Sequence, residues 1–265
     1  MREITRFNVE QFRKERRESF NGRGVQRAPA SVDRELQLLS RIFSLAAERG
    51  LIPTNPCKEV KLSGVGRIMT RYLAPEEEDR LLAVLASPRR EPLRNILLIG
   101  LHTGLRRTEI LTLHKSQIDL ARNTIELQAH QTKGKKFRAV PISETLRPLL
   151  VELCTNVSTS GYLFENPKTG KPITDIKNGW ASALRDAGIA HIRFHDIRHT
   201  FGTRAVDGGA PLGAVKEVMS HADIRTTMRY VHATDEGKRK AVEAVAKARV
   251  NTPASHLPHK KTATG

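Results

Sequence analysis

"HDIRHTFGT" fills residues 195–203 and "SHADIRTTMRYVH" fills residues 220–232. The first packs His195, Asp196, Arg198 and His199 into five residues. The second isolates His221 and places Tyr230 nine residues further on. Alone, HDIRH reads as a solvated helix face, because a His-x-x-Arg match arises by chance in a chain this rich in both residues. Its meaning has to come from the rest of the sequence.

The chain has 265 residues, enough for one large or two small domains, and its 38% hydrophobic content supports a real core. No apolar run approaches the roughly 18 residues that span a bilayer, so no membrane association is expected. The first residues, MREITRFNVEQ, are charged and lack a signal-peptide core. Two cysteines, Cys57 and Cys154, make neither a disulfide framework nor a metal site and suit a reducing cytoplasm. The net charge is +17. Residues 1–70 carry 14 Lys+Arg against 8 Asp+Glu, and the remainder carries 31 against 20. Both parts are basic, which suggests a polyanion gripped by both, since neutralised phosphates release counterions. An aromatic content of 5% argues against a single-strand stacking platform. That leaves double-stranded DNA or structured RNA, with a merely basic soluble protein as the bland alternative.

Local signals organise the chain. Asn8 with Gln11 reads as a capping box for a helix to about Phe20. Asn21-Gly22 reads as a turn. A second helix begins at Pro29-Ala-Ser31, capped by Ser31, and ends at Gly50 before IPTNP. Residues 1–57 then form a small all-α unit, 58–72 a basic linker, and 73–250 a larger domain ahead of a disordered tail, 251–265. The larger domain opens with a helix from Pro75, then helices near 93–102 and 107–114. Two β-type stretches, 124–128 and 137–141, flank the lysine-rich turn HQTKGKK as a hairpin. Helices follow near 143–156, 174–187, 195–207, 211–219, 224–232 and 235–250.

Five separated stretches, in this order and spacing, resemble the tyrosine recombinase family, the phage-type integrases. They are VDRELQLLSRIFSLAAERGLIPTNP (32–56), TGLRRTEI (103–110), TKGKKFRAVPI (132–142), HDIRHTFGT and SHADIRTTMRYVH. The resemblance runs from about residue 4 to 235. It implies a mainly α fold with a small β-sheet (α+β), built as a short core-binding unit plus a catalytic domain. It places the family's catalytic residues on Arg106, Lys133, His195, Arg198, His221 and Tyr230. Ser220 stands where the family more often has glycine. Lys133 competes with Lys135 and Lys136 as the hairpin lysine. Arg107 becomes a backbone or DNA contact, Glu109 a buttress, and His199 a helix residue or supporting contact. Tyr72 and Tyr162 look structural.

The implied chemistry needs these residue types. A phenol of pKa near 10 is neutral at pH 7 by ~4 kcal/mol, so a base such as His195 must assist its attack on a phosphodiester. Arg106 and Arg198 match phosphate geometry and keep their charge. His221 adds a hydrogen bond, and Lys133 can protonate the leaving 5′-oxygen. A 3′-phosphotyrosine conserves the bond's energy, so neither ATP nor metal nor any cofactor is expected. The chain has no Gly-rich phosphate loop and no acidic cluster for magnesium.

The expected protein is therefore a site-specific DNA recombinase. It would be a monomer off DNA and a homotetramer on paired sites, with accessory DNA-bending proteins as further partners. A type IB topoisomerase-like enzyme and a non-catalytic recombinase-derived DNA-binding protein are the alternatives. The N-terminal unit looks one helix short of the family pattern, so the sequence reads as N-terminally shortened there. The helix at 235–250 either packs on its own domain or docks on a neighbouring protomer.

Overall fold

Thr5 starts the first helix. Its hydroxyl accepts from the Asn8 amide at 3.4 Å, and Asn8 Oδ1 accepts from the Thr5 amide at 2.9 Å. Asn8 therefore sits one turn inside helix α1 (Arg6–Glu18) rather than capping it. The computed structural model describes residues 4–63, 71–129, 137–231 and Glu243. It divides into two compact units, Met1–Thr70 and Arg71–Gly265.

In the first unit, α1 packs on α2 (Pro29–Glu48). Pro29, at the first turn, presets the helical φ. No side chain caps α2, so the expected Ser31 cap is not used. Gly50 follows at φ +69, a left-handed conformation that glycine adopts freely. Val9, Val32, Leu36 and Cys57 form the core, with Phe12, Leu39, Phe43 and Val60 against it. Residues 58–63, expected as linker, are held to this unit instead. The Asp33 carboxylate accepts from the Ser63 amide at 3.1 Å and from its hydroxyl at 2.7 Å, and Arg13 donates to the Lys61 carbonyl. Ile4, Leu38 and Ile42 stay exposed along a cavity of about 600 Å³ between the helices.

So small a core has little reserve. Truncating a buried leucine costs about 2–5 kcal/mol, and cores of this size rarely supply more than about 3–5 kcal/mol. Leu36→Ala should therefore unfold the first unit while the second keeps its own transition. Two-step loss of helical ellipticity on heating is the check; a single unchanged melt would show a core stronger than these contacts indicate.

The second unit is mainly helical. Its elements are α3 (Pro75–Leu85), α4 (Glu91–Thr103), α5 (Arg107–Leu111), β1 (Ile118–Asp119), β2 (Thr124–Leu127), β3 (Arg138–Pro141) and α6 (Arg147–Thr155). Then come β4 (Glu165–Asn166), β5 (Lys171–Pro172), α7 (Lys177–Asp186), α8 (Phe194–Asp207), α9 (Leu212–Val218) and α10 (Ile224–Thr227). A 3-10 turn, Met228–Tyr230, follows α10. β1, β2 and β3 make an antiparallel sheet with Ile125 opposite Val140, and β4 pairs with β5. The fold is α+β, mainly α, as expected.

Helix α8 lies against α4, where a Cβ on Gly100 would come within 3.2 Å of Ile197. It is not a solvated helix: Asp196, Arg198, His199, Thr200 and Thr203 are all buried. Asp196 closes its first turn, accepting from the Arg193 amide at 2.9 Å and from the Arg193 guanidinium at 2.7 Å. Thr200 accepts from the Leu73 amide at 2.9 Å, fixing the strand-like entry to α3. A small cluster of Val215, Met219 and Tyr230 packs on the far end of α8 with Phe201 and Val206. No described helix is long and apolar enough to cross a membrane. The expected helix at 235–250, the tail 251–265 and the hairpin turn lie outside the described residues, Glu243 excepted.

Candidate active site

Gly104 ends α4 at φ +62, and a Cβ there would lie 2.4 Å from the Phe201 ring, so the position admits glycine alone without rearrangement. This sharp exit puts Arg106 at the head of α5. Glu109 closes that head, accepting from the Arg106 amide at 2.7 Å and from Arg106 Nη1 at 2.9 Å. The same carboxylate accepts from Arg138 Nη2 at 2.8 Å. Arg138 occupies an inward position of β3, and both partners of that pair are buried.

Three arginines then meet the end of α9. Arg138 Nη1 donates to the Val218 carbonyl at 2.8 Å, Arg198 Nη2 to that of Met219, and Arg106 Nη2 to that of Ser220 at 3.1 Å. Arg198 Nη1 also donates to the Gly104 carbonyl at 2.5 Å. Successive carbonyls of one turn are thus each held by a different guanidinium. Ser220 takes a left-handed φ of 49 to make that turn, and His221 follows. His221 Nδ1 lies 2.9 Å from the Thr227 hydroxyl. α10 and the 3-10 turn carry Tyr230 back onto α8. Its ring lies over Gly202, where a Cβ would come within 2.6 Å of it. Its hydroxyl lies 2.8 Å from His199 Nδ1. The His221 ring is roughly parallel to the Tyr230 ring at 6.3 Å, and the His195 ring stands edge-on to His199 at 5.1 Å.

Burial and like charge set the protonation states. Burial, reinforced by Arg198, lowers His195. Burial with His195 beside it brings His199 down to about 4, and burial with Arg198 and Arg106 nearby brings His221 to about 4. All three imidazoles are neutral at pH 7. Burial also raises the Tyr230 phenol, with Arg198 and Arg229 pulling the other way. Arg198 falls to about 10 through burial and the neighbouring Arg106, and stays charged at pH 7. The site is a group of fixed cations and neutral hydrogen-bonding rings around a buried phenol.

Of the six residues singled out by sequence, the structure brings Arg106, His195, Arg198, His221 and Tyr230 together on one chain. Lys133 lies outside the described residues, between strands β2 and β3. The ring on the phenol is that of His199 rather than His195. Nothing local in the sequence distinguished them, since both sit on one helix. Arg138 was likewise missed, although a charged residue at an inward position of a strand with Val140 is a visible signal.

Glu109 is the carboxylate in contact with Arg106 and Arg138. Removing one partner of a buried ion pair leaves an uncompensated charge and costs about 3–5 kcal/mol. Glu109→Gln should destabilise the second unit by that amount in urea unfolding. A loss under 1 kcal/mol would mean that the carbonyls of Val218 and Ser220 suffice to hold both arginines.

The model of the phage integrase family matches residues 71–237, well over half of the chain. The chain belongs to the phage integrase family. It is 29% identical over 216 residues to the integrase of Salmonella phage P22, covering 77% of this chain and 55% of that protein, little more than half its length. It is 27% identical over 237 residues to tyrosine recombinase XerC of Roseiflexus sp. strain RS-1, covering 83% of this chain and 74% of the relative. In fold it is similar to the Tn1549 transposon integrase, solved in complex with circular intermediate DNA. The TM-score there is 0.73 at 21% identity, over 90% of this chain and 85% of that one. Within this phage integrase-family chain, the matched region contains every residue of the site just described.

Proposed function

We propose that this integrase-family protein cuts and rejoins duplex DNA at specific sites through a covalent 3′-phosphotyrosine on Tyr230. The observation that carries the reading is the convergence of one phenol, two arginines and three neutral imidazoles within a single chain. Arg106 and Arg198 would take the non-bridging oxygens of the scissile phosphate, exchanging carbonyl partners for it. His221 would add a hydrogen bond. The His195–His199 pair supplies the acceptor for the phenol's proton, and Lys133 the proton for the leaving 5′-oxygen. The relatives' names and the net charge of +17 both favour DNA as the partner. Four copies would act on two paired sites, with DNA-bending proteins assisting. The test is incubation with random duplexes carrying a nick beside the cleavage position, followed by denaturation and capture of protein–DNA adducts. A sequence-selected set of covalently held 3′ ends is expected. Tight non-covalent binding without any adduct would overturn the reading in favour of a non-catalytic DNA-binding protein.

A further inference from the structure

We infer that His199 is a catalytic residue of this site: its Nδ1 orients the Tyr230 hydroxyl and takes its proton as the oxygen bonds to phosphorus. The inference rests on the reading of Tyr230 as nucleophile. It assigns the direct proton acceptor to the residue after Arg198 rather than to His195.

Four observations place His199 there. Its Nδ1 is 2.8 Å from the phenol oxygen, an ordinary hydrogen-bond length, and both groups are buried. Gly202 lies one helical turn beyond His199 on the same face of α8, and its missing side chain makes the seat for the tyrosine ring. Ring and hydroxyl are thus fixed by two points of one helix. The other groups around the ring point their polar atoms at partners other than the phenol. His221 Nδ1 faces the Thr227 hydroxyl, and the Arg198 Nη atoms donate to two carbonyls. His195 stands edge-on to His199 at 5.1 Å, and the hydrogen bond to the phenol is made by His199.

The step balances. The phenol O–H breaks and its proton moves to Nδ1, making an imidazolium. The Oη–P bond forms as the P–O5′ bond breaks, and the leaving oxygen is protonated by the separate acid proposed at Lys133. On rejoining, the 5′-hydroxyl attacks and the imidazolium returns its proton to the phenol. Burial keeps His199 neutral at rest, so its lone pair is free to accept. Negative charge building on the phosphorus oxygens then favours the cation beside it.

The experiment measures single-turnover adduct formation at saturating nicked duplex, together with duplex affinity and thermal stability. It uses His199→Ala, His199→Asn and His195→Ala, each with Tyr230 or with a ring-fluorinated tyrosine at 230, whose phenol is more acidic. Asn can keep a hydrogen-bonding atom near the Nδ1 position but cannot take a proton, and it serves should the Ala variant fail to fold. Both His199 variants should bind DNA unchanged and form adduct slower by on the order of 10²–10⁴-fold. The fluorinated phenol should restore most of that rate. His199→Asn reacting at the unmutated rate would reduce the residue to an orienting contact and overturn the proposal. So would slow variants that the acidic phenol fails to rescue, faster adduct formation in either variant, or rescue confined to His195→Ala. An adduct persisting in Tyr230→Phe would instead overturn the nucleophile reading itself, a separate outcome.

Discussion

Tyr230→Phe should abolish covalent capture of DNA altogether while leaving affinity for duplex unchanged. The ring fills a seat built from Gly202, Val215 and Met219, and phenylalanine fills it equally. Loss of the hydroxyl removes one hydrogen bond, to His199, worth about 1 kcal/mol. The variant should therefore fold, and melt only a few degrees lower. The arginines lose no partner, so the phosphate site persists. The chain's other two tyrosines are not expected to substitute: Tyr72 is half exposed ahead of α3. Tyr162 stacks edge-on against His114. Denaturing gels of the nicked-duplex reaction, beside gel-shift affinities, decide the matter. An adduct mapped by peptide sequencing to either other tyrosine would overturn the assignment.

The second large effect separates the phosphate clamps from the proton donor. Arg106, Arg198 and Lys133 are all assigned to one phosphate, so loss of activity cannot tell them apart. Replacing the leaving 5′-oxygen by sulfur can. A thiol is far more acidic than an alcohol, with ~8.5 as a cysteine reference, and its thiolate departs without a proton. Lys133→Ala should cleave this substrate nearly as fast as the unmutated protein. Arg198→Ala and Arg106→Ala should stay slow on both substrates by about 10²–10³-fold, the usual cost of removing one donor to developing charge. Rescue of Lys135→Ala in place of Lys133→Ala would move the acid along the hairpin. Rescue of neither would leave the hairpin lysines as DNA contacts only.

Much of the frame is readable from punctuation. Pro29 and Pro75 open helices, while Gly50 and Gly104 close them at positive φ, because those backbone constraints act locally. Strands β1, β4 and β5 are two residues each, too short for any alternation to register. Asn8 reads as a cap because Asn favours that place, but Thr5 holds it, its hydroxyl accepting from the Asn8 amide. Residues 58–63 looked like linker because Asp33, which binds them, is thirty residues away. The site was legible as residue types in order. The pairing of His199 with Tyr230 was not, since it exists only once the 3-10 turn has folded back across α8. Arg138 was hidden in the same way: its partners, Glu109 and the Val218 carbonyl, come from two other elements.

The arrangement around Glu109 also fixes an electrical balance. Arg106, Arg138 and Arg198 carry three positive charges, and among the described residues Glu109 is the carboxylate paired with them. The partners on α9 are carbonyl dipoles, which orient a guanidinium without neutralising it. The group therefore holds two uncancelled positive charges at rest, beside imidazoles that are neutral until one of them takes the phenol's proton. A phosphodiester brings one negative charge to such a place. The five-bonded phosphorus formed when the phenol has shed its proton brings two. As that charge doubles on the phosphorus oxygens, the fixed guanidiniums attract it more strongly than they attract the resting diester, and an interaction that strengthens toward the crest of the reaction raises a rate rather than merely tightening a grip.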